Sequence, residues 1–133
     1  MKKKTMTAVL LILVMLLTGC GGDVSEVKVS SWEPSELYTD DEIESAVKTT
    51  ERYFKMHFAG CTLNRITYAG DPASEAEYIY GGKGKEYIVL TSEFDVDATG
   101  GDGSFEPNST CRGWHWVLSR RNGGRWKHTN HGY

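Results

Sequence analysis

Residues 86–96 carry the strongest strand pattern in the chain. Side chains at alternate positions of a β-strand point to opposite faces of the sheet. One face carries Ile88, Leu90, Ser92, Phe94 and Val96, and the other carries Tyr87, Val89, Thr91, Glu93 and Asp95. A strand with such an apolar face must be covered by a second layer, so we expect a sheet packed against another element.

Residues 40–58 have the pattern of an amphipathic helix. Thr39 and Glu42 have the spacing of a capping box, and Tyr38 and Ile43 have that of a hydrophobic staple. Gly60 is expected to end the helix. The apolar face contains Ile43, Ala46, Val47, Thr50, Phe54 and Phe58, and it is widened by Tyr53, Met56 and His57.

The remaining elements are short. Asp71 is predicted to be the N-cap of a helix and Pro72 its first residue, and Asn122-Gly123 is a strong type I′ hairpin signal. The predicted elements are strand 62–69, helix 73–80, strand 86–96, loop 97–109, strand 110–120 and strand 125–131. This order predicts an α+β fold in which one long helix packs on a curved antiparallel sheet of about four strands, with an added short helix.

The first twenty residues have a different composition. Lys2, Lys3 and Lys4 precede an unbroken apolar run of ten residues, 8–17. A helix that spans the hydrocarbon core needs about 20 apolar residues, so this run is too short to do so. A positive segment followed by a short apolar run predicts an export signal, with the lysines retained on the cytoplasmic side.

The end of that run, Leu17-Thr18-Gly19-Cys20, resembles the bacterial lipobox. The resemblance implies cleavage after Gly19 and a diacylglycerol thioether on Cys20, with further acylation making the anchor durable. We therefore expect a signal peptide over 1–19, a lipidated flexible tether over 20–35, and a single domain over 36–133. The expected location is the extracytoplasmic face of the cell membrane. The alternatives are an ordinary secreted protein cleaved elsewhere and an uncleaved anchor.

The charge of the expected mature chain is unevenly distributed. Without Lys2, Lys3 and Lys4, 12 basic residues face 18 acidic ones, a net charge of −6 that argues against nucleic-acid binding. Residues 111–133 contain five basic side chains and no acidic one: Arg112, Arg120, Arg121, Arg125 and Lys127. Either these cations neutralise acids elsewhere in the fold, or they form a basic surface for an anionic ligand or for anionic headgroups.

Two cysteines remain beside Cys20. Cys61 and Cys111 can form a disulfide outside the cytoplasm, where the bond would close a loop of about 50 residues. The alternative is two small buried thiols that never meet.

The order of elements over residues 36–133 resembles a reduced nuclear-transport-factor-2-like or cystatin-like domain. Several motifs also resemble those of a group of small Firmicutes-type lipoproteins. These motifs are Tyr68-Ala69-Gly70-Asp71, Phe94-Asp95-Val96-Asp97 through Gly101-Asp102-Gly103, Trp114-x-Trp116, Asn122-Gly123-Gly124-x-Trp126 and Gly132-Tyr133. We know of no established activity for that group, so the resemblance implies export and a fold and adds no mechanism.

Residues 95–106 match an EF-hand loop in part. Asp95, Asp97, Thr99 and Glu106 occupy ligand positions, and Gly100 occupies the turn position. However, Asp102 stands where an aliphatic residue is usual, and the flanking elements are predicted strands. We favour a turn-rich hairpin loop over a weak Ca²⁺ site.

Histidines crowd the end of the chain, at positions 115, 128 and 131. On a regular strand, His128 and His131 point to opposite faces, whereas His115 and His131 could share a face across the hairpin. No nearby ligand set is completed by spacing, so we predict no metal and no cofactor.

No hydrolase or nucleotide-binding motif occurs in the chain. Domains of the resembled type often hold a pocket between helix and sheet, and some use an Asp–His pair there. The only candidates here are His57 with Glu93 or Asp95.

Three tryptophans and two arginines define a candidate ligand surface. Trp114, Trp116 and Trp126 beside Arg120 and Arg125 would suit a flat ligand if part of the sheet face is open. We favour a non-enzymatic, lipid-anchored domain that binds a small ligand or an envelope protein. The alternatives are a small acid–base enzyme and a structural or inhibitory module that docks through a strand edge.

Overall fold

The computed structural model describes residues 21–79, 81 and 83–133. Its elements are β1 (Lys28–Val29), α1 (Asp40–His57), β2 (Cys61–Tyr68), α2 (Asp71–Tyr78), β3 (Lys85–Val96), β4 (Thr110–Arg121) and β5 (Lys127–Gly132). The strands form one open sheet in the order β1-β2-β3-β4-β5, in which β1 pairs with β2 in parallel and the other neighbours are antiparallel. The predicted α+β class is confirmed, but the sheet is mixed and has five strands.

The predicted signal peptide and the lipidation site Cys20 lie outside the described residues. Among the described residues, neither helix is long and apolar enough to cross a membrane.

Helix α1 begins at the predicted capping box. The Thr39 side chain accepts from the backbone N–H of Glu42, and the Glu42 carboxylate accepts from the N–H of Thr39. Its apolar face then packs on one side of the sheet. The core between these layers includes Phe54, Phe94, Trp116, Ile88, Leu90 and Leu118, all fully buried.

Helix α2 covers part of the opposite side of the sheet. Ser74 accepts a hydrogen bond from the N–H of Val89 at 3.1 Å, and Ala73 packs near Tyr87 and Val117. The side chains of Tyr87 and Val89 point away from α1. Their packing in this second cluster explains why they are nevertheless buried. The N-cap of α2 is Gly70, not the predicted Asp71. The Asp71 carboxylate instead accepts from Ser35, Glu36 and Tyr68.

The segment before residue 36 is not the flexible tether that we predicted. The Gly22 N–H donates to the Lys55 carbonyl at 3.0 Å, and the Asp23 N–H donates to the Cys61 carbonyl at 2.9 Å. Strand β1 then adds to the edge of β2, and Trp32 donates to Asp40. The described part of this segment therefore belongs to the folded domain.

The β4–β5 hairpin has the predicted turn. Asn122 and Gly123 have φ values of 51° and 68°, and the Gly124 N–H donates to the Arg121 carbonyl at 2.9 Å. Two successive residues with positive φ define a type I′ turn.

Candidate anion-binding site

A cluster of positive charge lines a pocket at the hairpin end of the sheet. The pocket has a volume of about 400 Å³. Its described lining includes no acidic side chain and consists of Lys85, Ser119, Arg120, Arg121, Gly124, Arg125 and Lys127.

Strand register brings the cations of this pocket together. Lys85 pairs with Arg121 across β3 and β4, and Ser119 pairs with Lys127 across β4 and β5. These residues share the face of Tyr87 and Val117, opposite α1. Directly paired side chains lie about 5 Å apart and diagonal neighbours about 7–8 Å apart. Three strands therefore present a row of three positive charges, one on each strand. The loop residue Arg125 adds a fourth positive charge.

Arg120 points to the other face and is committed to ion pairs. Its guanidinium contacts the carboxylates of Glu42 and Glu86, the latter at 2.6 Å, and its side chain is only 9% exposed. It also lies 4.2 Å from the centre of the Trp126 ring. Burial alone would lower the pKa of Arg120, but hydrogen bonds to Glu42 and Glu86 outweigh it and raise the pKa. Arg120 thus supports the pocket from within. We had predicted that Arg120 binds a ligand, but its guanidinium is already paired with two carboxylates.

The three tryptophans do not form the predicted open surface. Trp116 is fully buried and donates to Ser92 at 2.7 Å, and Trp126 is buried and donates to the Glu42 carbonyl. Trp114 is half-buried toward the other end of β4, where it packs against Phe94 and Phe105. Of the five residues predicted to bind a ligand, only Arg125 is an exposed residue of the basic pocket.

His128 and His131 lie on the same face of β5, contrary to our prediction. Val117 pairs with Asn130 and Leu118 with His128, so Thr129 is an extra residue in β5. This bulge shifts the alternation, and the two imidazoles meet at 2.9 Å between Nε2 of His128 and Nδ1 of His131. His115 pairs with Gly132 on the opposite face, so it does not join His131 as expected.

The histidine pair packs against α1. The His128 ring stacks on Tyr53, with ring centres 3.7 Å apart. Burial, followed by the charges of His131 and His57, lowers the pKa of His128 to about 4, and burial also lowers the pKa of His131. Both imidazoles are therefore neutral near pH 7. The described residues include no group of three or more His, Cys, Asp or Glu side chains arranged to hold a metal ion.

The histidine pair predicts a stability loss in mild acid. An unfolded His128 binds a proton below about pH 6.5, but the folded one does so only below about pH 4, so the free energy of unfolding falls across this window. We expect a loss of about 1–2 kcal/mol between about pH 7 and pH 5, because part of the ring reaches solvent. Urea unfolding at both pH values measures it.

His128→Phe keeps the stack on Tyr53 and should reduce this pH dependence. His115→Gln, at an exposed position on the opposite face, should leave it unchanged. Equal pH dependence in the wild type and His128→Phe would show that His128 is not responsible.

The predicted acid–base pair is not assembled. His57 is exposed on α1 near Tyr53, at 4.4 Å between ring centres. Glu93 pairs with Arg112, and Asp95 accepts from Thr110, both on the face of the sheet opposite α1. A proton cannot pass directly between groups that the sheet separates.

The loop of residues 97–109 does not adopt an EF-hand arrangement. Asp97 accepts from the N–H and hydroxyl of Thr99, and Asp95 is bonded to Thr110 instead. Phe105, next to Glu106, packs into the core beside Phe58. Asp95, Asp97 and Thr99 thus serve turns and strand pairing, and the loop closes one end of the core.

Cys61 and Cys111 are buried and are not bonded to each other. Cys61 pairs with Val96 and Cys111 with Phe94, so β3 lies between their strands. Strands two places apart lie about 9.5 Å apart, whereas a disulfide needs Cα atoms within about 7 Å. The disulfide stays a prediction, and this register does not favour it. Burial, and then the charge of Asp97, raise the pKa of Cys61 to about 11, so its thiol is inert near pH 7.

The charge of this pocket is only partly evident in the sequence. The run of cations over residues 111–133 indicated Arg121, Arg125 and Lys127. Lys85 was missed, because only its pairing with Arg121 places it there. A basic residue at the start of a strong strand was the one available signal.

No known protein family, curated protein or solved structure matches the chain.

Proposed function

We propose that this chain is an extracytoplasmic lipoprotein, held to the cell membrane by a lipid on Cys20, that binds an anionic ligand at the basic pocket. The pocket carries the proposal: Lys85, Arg121, Arg125 and Lys127 converge there, and no acidic side chain lines its described part. Among the three salt bridges of the described residues, none involves these four side chains. Their charge is therefore available to a ligand.

The chemistry of the lining favours phosphate or carboxylate groups. The arginine guanidinium presents paired N–H donors that match the oxygens of either group, and lysine adds a mobile point charge. The Ser119 hydroxyl can add a neutral hydrogen bond. The second pocket on this face, about 310 Å³ beside α2, has a mixed lining that includes Glu77 and Val117. It offers no comparable selectivity for charge.

A binding role is better supported than the enzyme alternative. The proposed acid–base residues lie on opposite faces of the sheet, and the buried Cys61 thiol is held protonated. Docking through the β5 edge is also less favoured, because the bulge at Thr129 twists this strand and interrupts its ladder. We also propose that the domain is a nuclear-transport-factor-2-like or cystatin-like variant, on the basis of its long helix across the antiparallel strands β2 to β5.

Binding of labelled inorganic polyphosphate tests the proposal. The lipidated full chain in neutral detergent should bind it, as followed by fluorescence anisotropy. Arg121→Glu with Lys127→Glu should weaken binding by about 10- to 100-fold, because each lost charged contact is worth about 1 kcal/mol or more.

The matched control reverses two exposed cations of α1. Lys48→Glu with Arg52→Glu changes the net charge by the same amount far from the pocket. It should alter the affinity by less than about threefold, since only the distant field changes. An equal loss of polyphosphate affinity in both double variants would show non-specific attraction and would contradict the assignment of the pocket as the binding site.

A further inference from the structure

The described chain begins against the body of the domain. A Cβ atom on Gly21 would lie 2.2 Å from the Lys55 carbonyl oxygen, and one on Gly22 would lie 2.7 Å from the Phe54 ring. Only glycine fits at such close approach. Asp23 then bridges to Thr62 at the start of β2. Because neighbouring Cα atoms are 3.8 Å apart, a lipid on Cys20 is attached within one peptide unit of this packed surface.

This attachment point and the basic pocket lie at opposite ends of the sheet. Asp23 bonds to Cys61, Cys61 pairs with Val96, and the Val96 N–H donates to Ser109, which precedes β4. Strand β4 then runs for twelve residues to Arg121. At about 3.3 Å per residue, the pocket is about 35 Å from the attachment end.

The two ends also differ in charge. The loop after β3 adds three acids at the end of the sheet where Asp23 lies, namely Asp97, Asp102 and Glu106, against the nearby cation Lys55. Anionic headgroups repel these acids at short range. Salt screens the electric field of the headgroups beyond about 10 Å. The headgroup field therefore does not reach the pocket when the attachment end of the domain faces the membrane.

We propose that the basic pocket faces away from the membrane and binds a phosphate-bearing polymer outside the bilayer, not the headgroups of the membrane that holds the anchor. This inference rests on the proposed function and names its ligand class. The cations favour a polymer because they form a row across β3, β4 and β5 at steps of about 5–8 Å, so successive phosphates can be contacted.

The orientation is measured with the lipidated full chain in vesicles. Spin labels are attached at Met56→Cys, exposed near the attachment end, and at Asn122→Cys, at the exposed hairpin tip, where the positive φ of residue 122 makes the second change cost about 1 kcal/mol of stability. Both substitutions replace one uncharged residue with another, so neither changes the net charge of the domain. Vesicles contain phosphatidylcholine with a nickel-chelating lipid, with or without phosphatidylglycerol.

Nickel at the surface should enhance the relaxation of the label at position 56 and leave the label at position 122 unchanged, in both lipid mixtures. Inserting 20 Gly/Ser residues after Cys20 should shrink this difference, because such a linker reaches about 25 Å. Enhancement at position 122 equal to that at position 56, or appearing with phosphatidylglycerol, would overturn the proposal in favour of headgroup binding.

Polyphosphate binding to the same vesicles separates the two proposals. If four phosphates are neutralised, the affinity should fall about 50-fold between about 50 and 200 mM salt, by analogy with single-stranded phosphate polymers. Binding that is lost on vesicles but present in detergent would contradict an outward-facing pocket. No binding in either medium would overturn the proposed function itself, whatever the labels report.

Discussion

Replacing Arg120 with methionine is expected to lower the free energy of unfolding by about 2–4 kcal/mol. Arg120 joins α1 to the sheet because its guanidinium contacts Glu42 on the helix and Glu86 on β3. Methionine fills similar space but leaves two half-buried carboxylates without a cation. It also removes the contact between the guanidinium and the Trp126 ring.

Arg112→Met is the matched control. Arg112 also pairs with a glutamate, at 2.9 Å, but its side chain is 75% exposed. Such surface pairs contribute about 0–1 kcal/mol, so this variant should unfold nearly as the wild type does. Urea unfolding at neutral pH measures both, and equal losses would show that the Arg120 cluster does not join helix to sheet.

Replacing Trp116 with alanine is expected to cost about 3–5 kcal/mol. The Trp116 ring is fully buried between Phe54 and Phe58, and its Nε1 donates to Ser92. Removal leaves a cavity in the middle of the core and an unpaired acceptor. Thermal and urea unfolding should both reveal the loss.

Trp114→Ala should cost less, about 1–2 kcal/mol, because a partly exposed ring leaves a smaller cavity. Trp114 also has no hydrogen bond to lose at Nε1 among the described residues. Where Trp116→Ala remains folded at low temperature, its affinity for polyphosphate should be unchanged. A selective loss of binding with normal stability would mean that Trp116 is a ligand contact.

Local signals predicted most of the fold. The capping box at Thr39 and Glu42 and the turn at Asn122-Gly123 are formed by residues close in sequence, and both are confirmed. Alternation over residues 86–96 also assigned its core face correctly. These features depend on backbone preferences that a short segment carries alone.

The errors arose where distant residues decide the structure. Strand β1 has only two residues and no periodicity, so its pairing with Arg65 and Ile66 left no local pattern. The bulge at Thr129 also carries no glycine or proline signal. It overrode the expected alternation and joined His128 to His131.

The candidate site was predictable only as an excess of charge. Arg120, Arg121 and Arg125 were equivalent in sequence, yet Arg120 turns inward to partners 78 and 34 residues away. Arg120 and Arg121 are neighbours in β4, so their side chains point to opposite faces of the sheet. Acidic side chains on each face decide which arginine is paired and which is available to a ligand. Those acids belong to other elements, so the tertiary fold was needed to identify the free cations.

Mapping where an anion binds tests the basic pocket most sharply. Backbone amide NMR spectra of residues 21–133, titrated with inorganic polyphosphate, would map it. Binding in the basic pocket should produce shifts concentrated at Lys85 and over residues 119–127, and these shifts should weaken as salt is raised. No shifts there, or shifts concentrated around Tyr53, His128 and His131, would contradict it.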